Sequence, residues 1–342
     1  MNFKRLVRKI FLTLGYNVKK LTGDERRYMS ASYDPDSWVP DDALSVLRED
    51  SPRLLELRNS YQKLDLPVSV HTVWDESRLK GELSLPWFRG DNAYVWQFRQ
   101  VRGEIRLKQY LTLQYVESRD EMKLLDVLDE DGAFGCWTFR YGRRDPVSRD
   151  LLESVNEINF LERHVQLSNV ANLKVIDVGA GYGRLAYRMA KALPNLERYD
   201  CVDAVPESTF LCEYYLNFRG VADRASAIPL TEHSRLSDRY DLAVNIHSFS
   251  ECTLVSVTWW LNKLAELRVP YLLIVPNQPE ELLTSEADGS KRDFAPVIES
   301  AGYELVQKAP VFDDEELADL IGVRDHFFLF HLRGSSAGVG NA

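Results

Sequence analysis

From residue 173 onward, short apolar runs alternate with longer amphipathic stretches, and this rhythm constrains the fold more than any other feature of the chain. "LKVIDVG", "RYDCVDA", "YDLAVNI" and "VPYLLIVP" read as buried strands, while "GRLAYRMAKAL", "PESTFLCEYYLNFRG" and "TLVSVTWWLNKLAEL" read as helices. Pro206 opens the second of these helices and Gly220 follows its end, the usual asymmetry of helix termini. Strands that alternate with helices build βαβ units around a parallel sheet. The expectation is a doubly wound α/β fold with a mostly parallel, seven-stranded sheet. "DFAPVIESAG" predicts a short helix. "YELVQKAP" and "DHFFLFHLR", with no long helix between them, predict an antiparallel, hairpin-like edge.

The first half is less regular. Residues 28–40 read as a linker, 40–64 as helix interrupted at Pro52, and 66–74 ("LPVSVHTVW") as an alternating strand. Residues 101–118 read as helix, 129–146 as a loop feeding a short strand, and 148–165 as a helix capped by a serine. The predicted organisation is a basic N-terminal helix (1–27), a mainly helical or mixed substrate-binding cap (28–147), a ligand-binding domain (148–333) and a flexible tail (334–342).

Charge is uneven along the chain. The formal net charge is −10, yet residues 1–27 hold eight Lys/Arg against two acids, a net +6 that leaves −16 for the remainder. The acidic balance argues against nucleic acid as a partner. Within 1–22, Phe3, Leu6, Val7, Ile10, Phe11 and Leu14 form an apolar helical face ringed by basic residues, a pattern suited to an anionic membrane surface or a partner. No window is long and apolar enough to span a bilayer, and no secretory signal is expected. Cys136, Cys201, Cys212 and Cys252 are scattered, without zinc or disulfide spacing. The expected setting is cytoplasmic, with peripheral contact at the inner membrane face.

The most specific stretch is "VIDVGAGYGRLA". Gly179, Gly181 and Gly183 follow the first strand, where ligands bind in doubly wound sheets. A dinucleotide fingerprint requires G-x-G-x-x-G, but here the third glycine comes one residue early and Arg184 occupies its place. Asp177, two residues before the turn, is awkward beside a pyrophosphate and better suited to an amine or sulfonium. Asp203 ends the second strand, 20 residues beyond Gly183, where an acid accepts hydrogen bonds from ribose hydroxyls.

"VIDVGAGYGRLA" followed by "CVDAVPES" resembles the first two motifs of the class I S-adenosylmethionine-dependent methyltransferases, a Rossmann-like family. The resemblance implies that Gly179, Gly181 and Gly183 line the methionine moiety of S-adenosylmethionine, with Ala180 and Ala204 beside them. It implies that Asp203 holds the ribose and Asp177 the amine; Asn245, closing the fourth strand, is counted with this set. An acid after the third strand for the adenine amine has no obvious counterpart in "ASAIPLTEHSRLSD". "NIHSFSE", "FRGDNAYVWQ", "LDEDGAFGCWTF" and "PVSRDLLESVNEINFL" further resemble sugar O-methyltransferases found with bacterial polysaccharide and glycoside biosynthesis. That likeness spans most of residues 60–333 and implies a sugar hydroxyl as acceptor.

A hydroxyl acceptor has to lose its proton. His247 is the candidate base, and Glu251 a second base, an orienting group or a substrate ligand. Ser248 and Ser250 offer hydrogen bonds. Arg89, Asp91 and Asn92, in one short loop, and Glu157 are candidate substrate ligands. Trp87, Tyr94, Trp96, Trp137 and Arg140 offer the aromatic and planar groups that sugar sites use. A divalent metal could draw oxygen ligands from Glu251, Asp91 or Glu157, but no spacing specifies a site. The remaining alternatives are methylation of another small molecule or protein on the same scaffold, and a non-catalytic protein that binds S-adenosylmethionine and works through a partner.

Overall fold

The computed structural model describes residues 37–335 except 70–71, 75–77, 80–82, 93, 96–104, 143 and 237–238. The basic helix expected within 1–27, most of the 28–40 linker, Trp96 and most of the tail lie outside the described residues.

Seven strands, β1 (Leu173–Val178), β2 (Leu196–Asp203), β3 (Ala225–Pro229), β4 (Leu242–Ile246), β5 (Tyr271–Val275), β6 (Tyr303–Pro310) and β7 (His326–Leu332), form one sheet in the order β3-β2-β1-β4-β5-β7-β6. β1 to β5 pair in parallel, and β7 runs antiparallel to both β5 and β6. The expected antiparallel pair is present, but only β6 is an edge. β7 enters between β5 and β6, so its phenylalanines 327, 328 and 330 are buried while Leu305 and Val306 of β6 are about half exposed. Strands covered on both faces need apolar side chains in both directions, and Val175, Ile176 and Val178 of β1 are all buried.

The helices start where the side chains predict. In α4 (Arg149–Val165), Ser148 Oγ accepts from Leu151 N at 3.0 Å, satisfying one free amide of the first turn. In α6 (Pro206–Phe218), proline occupies the first position and Gly220 follows with φ 64°. In α7 (Leu254–Glu266), Thr253 caps Ser256 N. The α5 helix (Arg184–Ala192) begins directly after the glycine turn. Two short helices, α8 (Ala295–Ser300) and α9 (Glu315–Ile321), connect the last strands.

The N-terminal half packs onto this sheet. Pro52 divides the expected helix into α1 (Ala43–Val46) and α2 (Pro52–Tyr61), and α2 is tied to α6 by Arg53–Glu213, by Arg58–Glu207 and by the Tyr61 hydroxyl at 2.9 Å from Thr209 Oγ1. The α3 helix (Ile105–Glu117) packs on α4. Buried residues of both halves form one continuous core. Two sequence expectations change. The described part of 66–74 is a 3-10 turn (Pro67–Ser69) and irregular chain, because its alternation buries Val68 and turns Thr72 and Trp74 toward another loop. The short strand in 129–146 reduces to two isolated bridges, Ala133 with Trp38 and Phe139 with Val147.

Candidate functional site

Strand order reverses between β1 and β4, and ligands of doubly wound sheets bind at such a switch point, beyond the carboxyl ends of the strands. A cavity of 460 Å³ opens there. Its floor is the glycine turn. Gly179 has φ 76°, and a Cβ at this position would lie 2.2 Å from both Cβ and Oγ of Ser248. Only glycine fits. Gly179→Ala is expected to cost about 1–3 kcal/mol, through both the collision and the left-handed backbone. Adding Ser248→Gly relieves the collision alone, so a thermal melt of the double variant should recover part of the loss. A single variant that melts like the parent removes the close approach from the explanation.

Asp203 sits between two strand exits. Its Oδ2 accepts from Gly181 N at 3.0 Å and its Oδ1 from Val205 N at 2.8 Å. Asp177, 4% exposed, accepts from the Tyr199 hydroxyl at 2.8 Å. Burial pushes both carboxyls up to about 7, against the hydrogen bonds that favour their ionised forms. Ala180, Gly181 and Ala204 complete this end of the cavity.

The opposite wall comes from the exit of β4. Asn245 does not face the cavity. Its Nδ2 donates to Val178 O at 2.7 Å and its Oδ1 accepts from Phe249 N at 3.0 Å, which clamps the β4 exit to β1. His247 follows with φ 67° and ψ −34°, a conformation costing a non-glycine residue about 1–3 kcal/mol. Its N–H donates to Val275 O at 2.7 Å, and its Nε2 lies 3.2 Å from Asp325 Oδ2. Burial alone would make this ring less basic, but the hydrogen bond and charge of Asp325, with the charges of Glu153 and Glu251, leave it more basic than usual. A 3-10 turn, Ser248–Glu251, then carries Glu251 into the cavity. Glu251 Oε2 accepts from Trp74 Nε1 at 2.7 Å and Oε1 from Asn277 Nδ2 at 3.1 Å. Burial raises its pKa, opposed by the Trp74 hydrogen bond and by His247.

Several candidates lie elsewhere. Gly183 is a packing glycine: a Cβ would come within 2.9 Å of Cys212 Sγ on α6. Arg89 is wholly buried rather than facing an acceptor. It bonds Glu130 Oε2 at 2.8 Å, Asp150 Oδ2 at 3.2 Å and Ala133 O at 3.2 Å. Asn92 shapes its own loop, accepting from Tyr94 N and Val95 N at 2.8 and 2.7 Å, and Asp91 is not a cavity wall. Glu157 is buried against Arg184, with bonds of 2.8 and 2.9 Å to its two oxygens. Ser250 Oγ accepts from Asn277 N at 3.1 Å, inside the loop. Tyr94 does line the cavity, whereas Trp87, Trp137 and Arg140 do not. Glu251, Asp91 and Glu157 do not converge: among the described residues, no three His, Cys, Asp or Glu side chains are placed to hold a metal ion.

Sequence reasoning did not select Asp325, Tyr199, Trp74 or Asn277 as site residues. Trp74 was hidden by the strand reading of 66–74. Tyr199 lies within β2 and Asp325 borders β7, strands whose apolar pattern dominates, and no local spacing ties them to the glycine turn. The walls also carry Asp150 and Glu153, against the cations Arg149 and Arg184. Carboxylates at both strand exits, a cradle that a Cβ would fill and an acidic wall suit a ligand with a ribose and a cationic centre. They suit a pyrophosphate poorly.

The strand order, with one antiparallel strand inserted next to the edge, fits the Rossmann-like fold that the sequence resemblance implies. Neither a protein-family model nor a curated protein sequence matches the chain. Solved structures are similar to it at low identity. The mitomycin 7-O-methyltransferase MmcR is 19% identical with TM-score 0.38, over 53% of this chain and 56% of that one, so this chain spans little more than half its length. The cyclase SpnF is 13% identical with TM-score 0.41, over 66% and 96%. The magnesium protoporphyrin IX methyltransferase of Synechocystis PCC 6803, solved with bound SAM, is 12% identical with TM-score 0.39, over 54% and 82%. The fold assignment rests on the sheet itself, and a fold does not by itself name a reaction.

Proposed function

We propose that the chain is an S-adenosylmethionine-dependent O-methyltransferase acting on a sugar hydroxyl of a polysaccharide or glycoside intermediate. One observation carries the reading. The nucleoside-type cradle of Gly179, Gly181 and Asp203 opens into the same cavity as His247 and Glu251. When bound, the cofactor supplies an electrophilic methyl carbon on a sulfonium. Asp203 accepts from the ribose hydroxyls and Asp177 faces the amine. His247 takes the proton of the attacking hydroxyl, and Glu251, oriented by Trp74 and Asn277, accepts from a neighbouring hydroxyl. Trp74 and Tyr94, edge to face at 5.7 Å, supply aromatic surface beside that carboxylate. The sugar resemblance of the sequence supports the same acceptor.

Calorimetry with S-adenosylmethionine and with NAD tests the first half. The expected result is binding of the former alone, tightening as pH rises. Asp203 and Asp177 are half protonated near pH 7, and the bound ribose and cation favour their ionised forms. Affinity should therefore fall up to about tenfold per pH unit below 7 for each group that must ionise, with proton release on binding. Without ligand the sign is opposite. A carboxyl raised in the folded state stabilises the fold at low pH and loses that contribution as pH rises through 7. Binding that ignores pH between 5.5 and 8 would take Asp203 and Asp177 out of the contact. Transfer from S-adenosylmethionine to nucleotide sugars and glycan fragments tests the acceptor; binding without transfer to any of them would favour the non-catalytic alternative.

A further inference from the structure

His247 is held by a part of the chain 78 residues away. Asp325 stands immediately before β7, and its carbonyl is anchored to Val311, which α4 holds in turn. Val311 N donates to Asp325 O at 2.8 Å, and Asn156 Nδ2, from α4, donates to Val311 O at 2.8 Å. His247 is itself pinned to β5 by its N–H, in a backbone conformation that L residues seldom adopt. Both side chains line the cavity, and the imidazole remains about a third exposed to it. A strained histidine and a backbone-anchored aspartate meet at one ring nitrogen.

We propose that Asp325 is the positioning residue of His247, accepting its Nε2 proton so that ring and tautomer are fixed and Nδ1 is the atom that receives the acceptor's proton. The inference rests on the reading of His247 as the base. A carboxylate only accepts, so the neutral ring carries its proton on Nε2 and its lone pair on Nδ1. In the transfer step the acceptor oxygen bonds the methyl carbon. The carbon–sulfur bond breaks with its electron pair left on sulfur, and the hydroxyl proton passes to Nδ1. Asp325 stays ionised and stabilises the imidazolium. Glu251 on its own turn and Glu153 and Glu157 on α4 also act on the ring. Glu153 is paired with Arg149 at 2.5 Å, and Glu157 behind it is paired with Arg184.

The test uses the full chain with Asp325→Asn and Asp325→Glu. The first readout needs neither cofactor nor acceptor: NMR titration of the six histidines, with His247 assigned by its absence in His247→Gln. Asp325→Asn is expected to lower the His247 pKa by about one unit or more, since a favourable partner has gone and burial remains. The second readout is the pH–rate profile, whose acid limb should move to lower pH while kcat falls roughly 10- to 100-fold and the KM for S-adenosylmethionine holds. Asp325→Glu should restore part of both. If Asp325→Asn does not fold, Asp325→Ser carries the same readouts. An unmoved His247 titration overturns the pairing, whatever the enzyme methylates. A moved titration with an unchanged pH–rate profile overturns the positioning role. If the wild type transfers no methyl group, the failure belongs to the proposed function, and the titration still decides the pairing.

Discussion

Arg89→Ala is expected to destabilise the protein by about 3–5 kcal/mol, a fall in Tm of roughly 4–7 °C. Arg89 and Arg188 face Glu130 and Asp150 in a buried set of two positive and two negative charges, of which Asp150 also borders the cavity. Ser148 Oγ donates to Glu130 at 2.6 Å, Tyr182 donates to Asp150, and Arg188 donates to Asp129 O at 2.5 Å. With Arg89 and Arg188 beside it, the Glu130 carboxyl is held well below the usual carboxylate range despite its burial. Removing one guanidinium leaves Asp150 without an arginine partner in this set and Glu130 with half of its compensation. Most of the expected cost is that stranded charge rather than the worth of the pair. The network joins the chain at Arg89 to α4 and α5, which frame the glycine turn. Arg89→Lys, which keeps the charge but not the fork, should fall between. A denaturation midpoint within about 1 kcal/mol of the parent for Arg89→Ala would return Arg89 to the substrate candidates.

The second large effect concerns turnover. His247→Ala should lower kcat by about 10²- to 10⁴-fold, the usual contribution of a positioned base, while the Kd for S-adenosylmethionine changes little. The backbone adds a separate signature. His247 occupies φ 67°, where glycine carries no penalty. His247→Gly should then lose turnover as His247→Ala does, yet match or exceed the parent in thermal stability. That combination marks strain held for function. A His247→Ala enzyme with parental kcat across pH 6–9 would remove the base from the mechanism, and a destabilised His247→Gly would remove the strain.

Local and nonlocal features divide cleanly in this chain. The glycine turn, Asp177 and Asp203 were legible because all three lie within one βαβ unit, where strand, turn and helix follow in order and place the acid beside the turn. The Ser148 cap, the Pro206 start and the β4 exit at His247 and Glu251 were legible for the same reason. Arg89 was misplaced because a polar loop reads the same whether solvated or buried. What buries it are Glu130 and Asp150, which lie 41 and 61 residues onward. The 66–74 strand failed similarly, since alternation records which residues face inward, not whether a partner strand is there.

Sequence periodicity by itself determined the class of fold, the order of strands and helices through most of the sheet region, and the cradle at the first strand exit, because backbone geometry ties each of these to residues a few positions apart. Only the tertiary structure decided that β7 lies between β5 and β6, that Arg89 is structural, and that Asp325 and Trp74 hold His247 and Glu251. The last two depend on charges and hydrogen-bonding groups meeting across 41 to 177 residues of chain. Such pairings leave no periodic trace, since nothing along the backbone links the two partners until the core has closed around them.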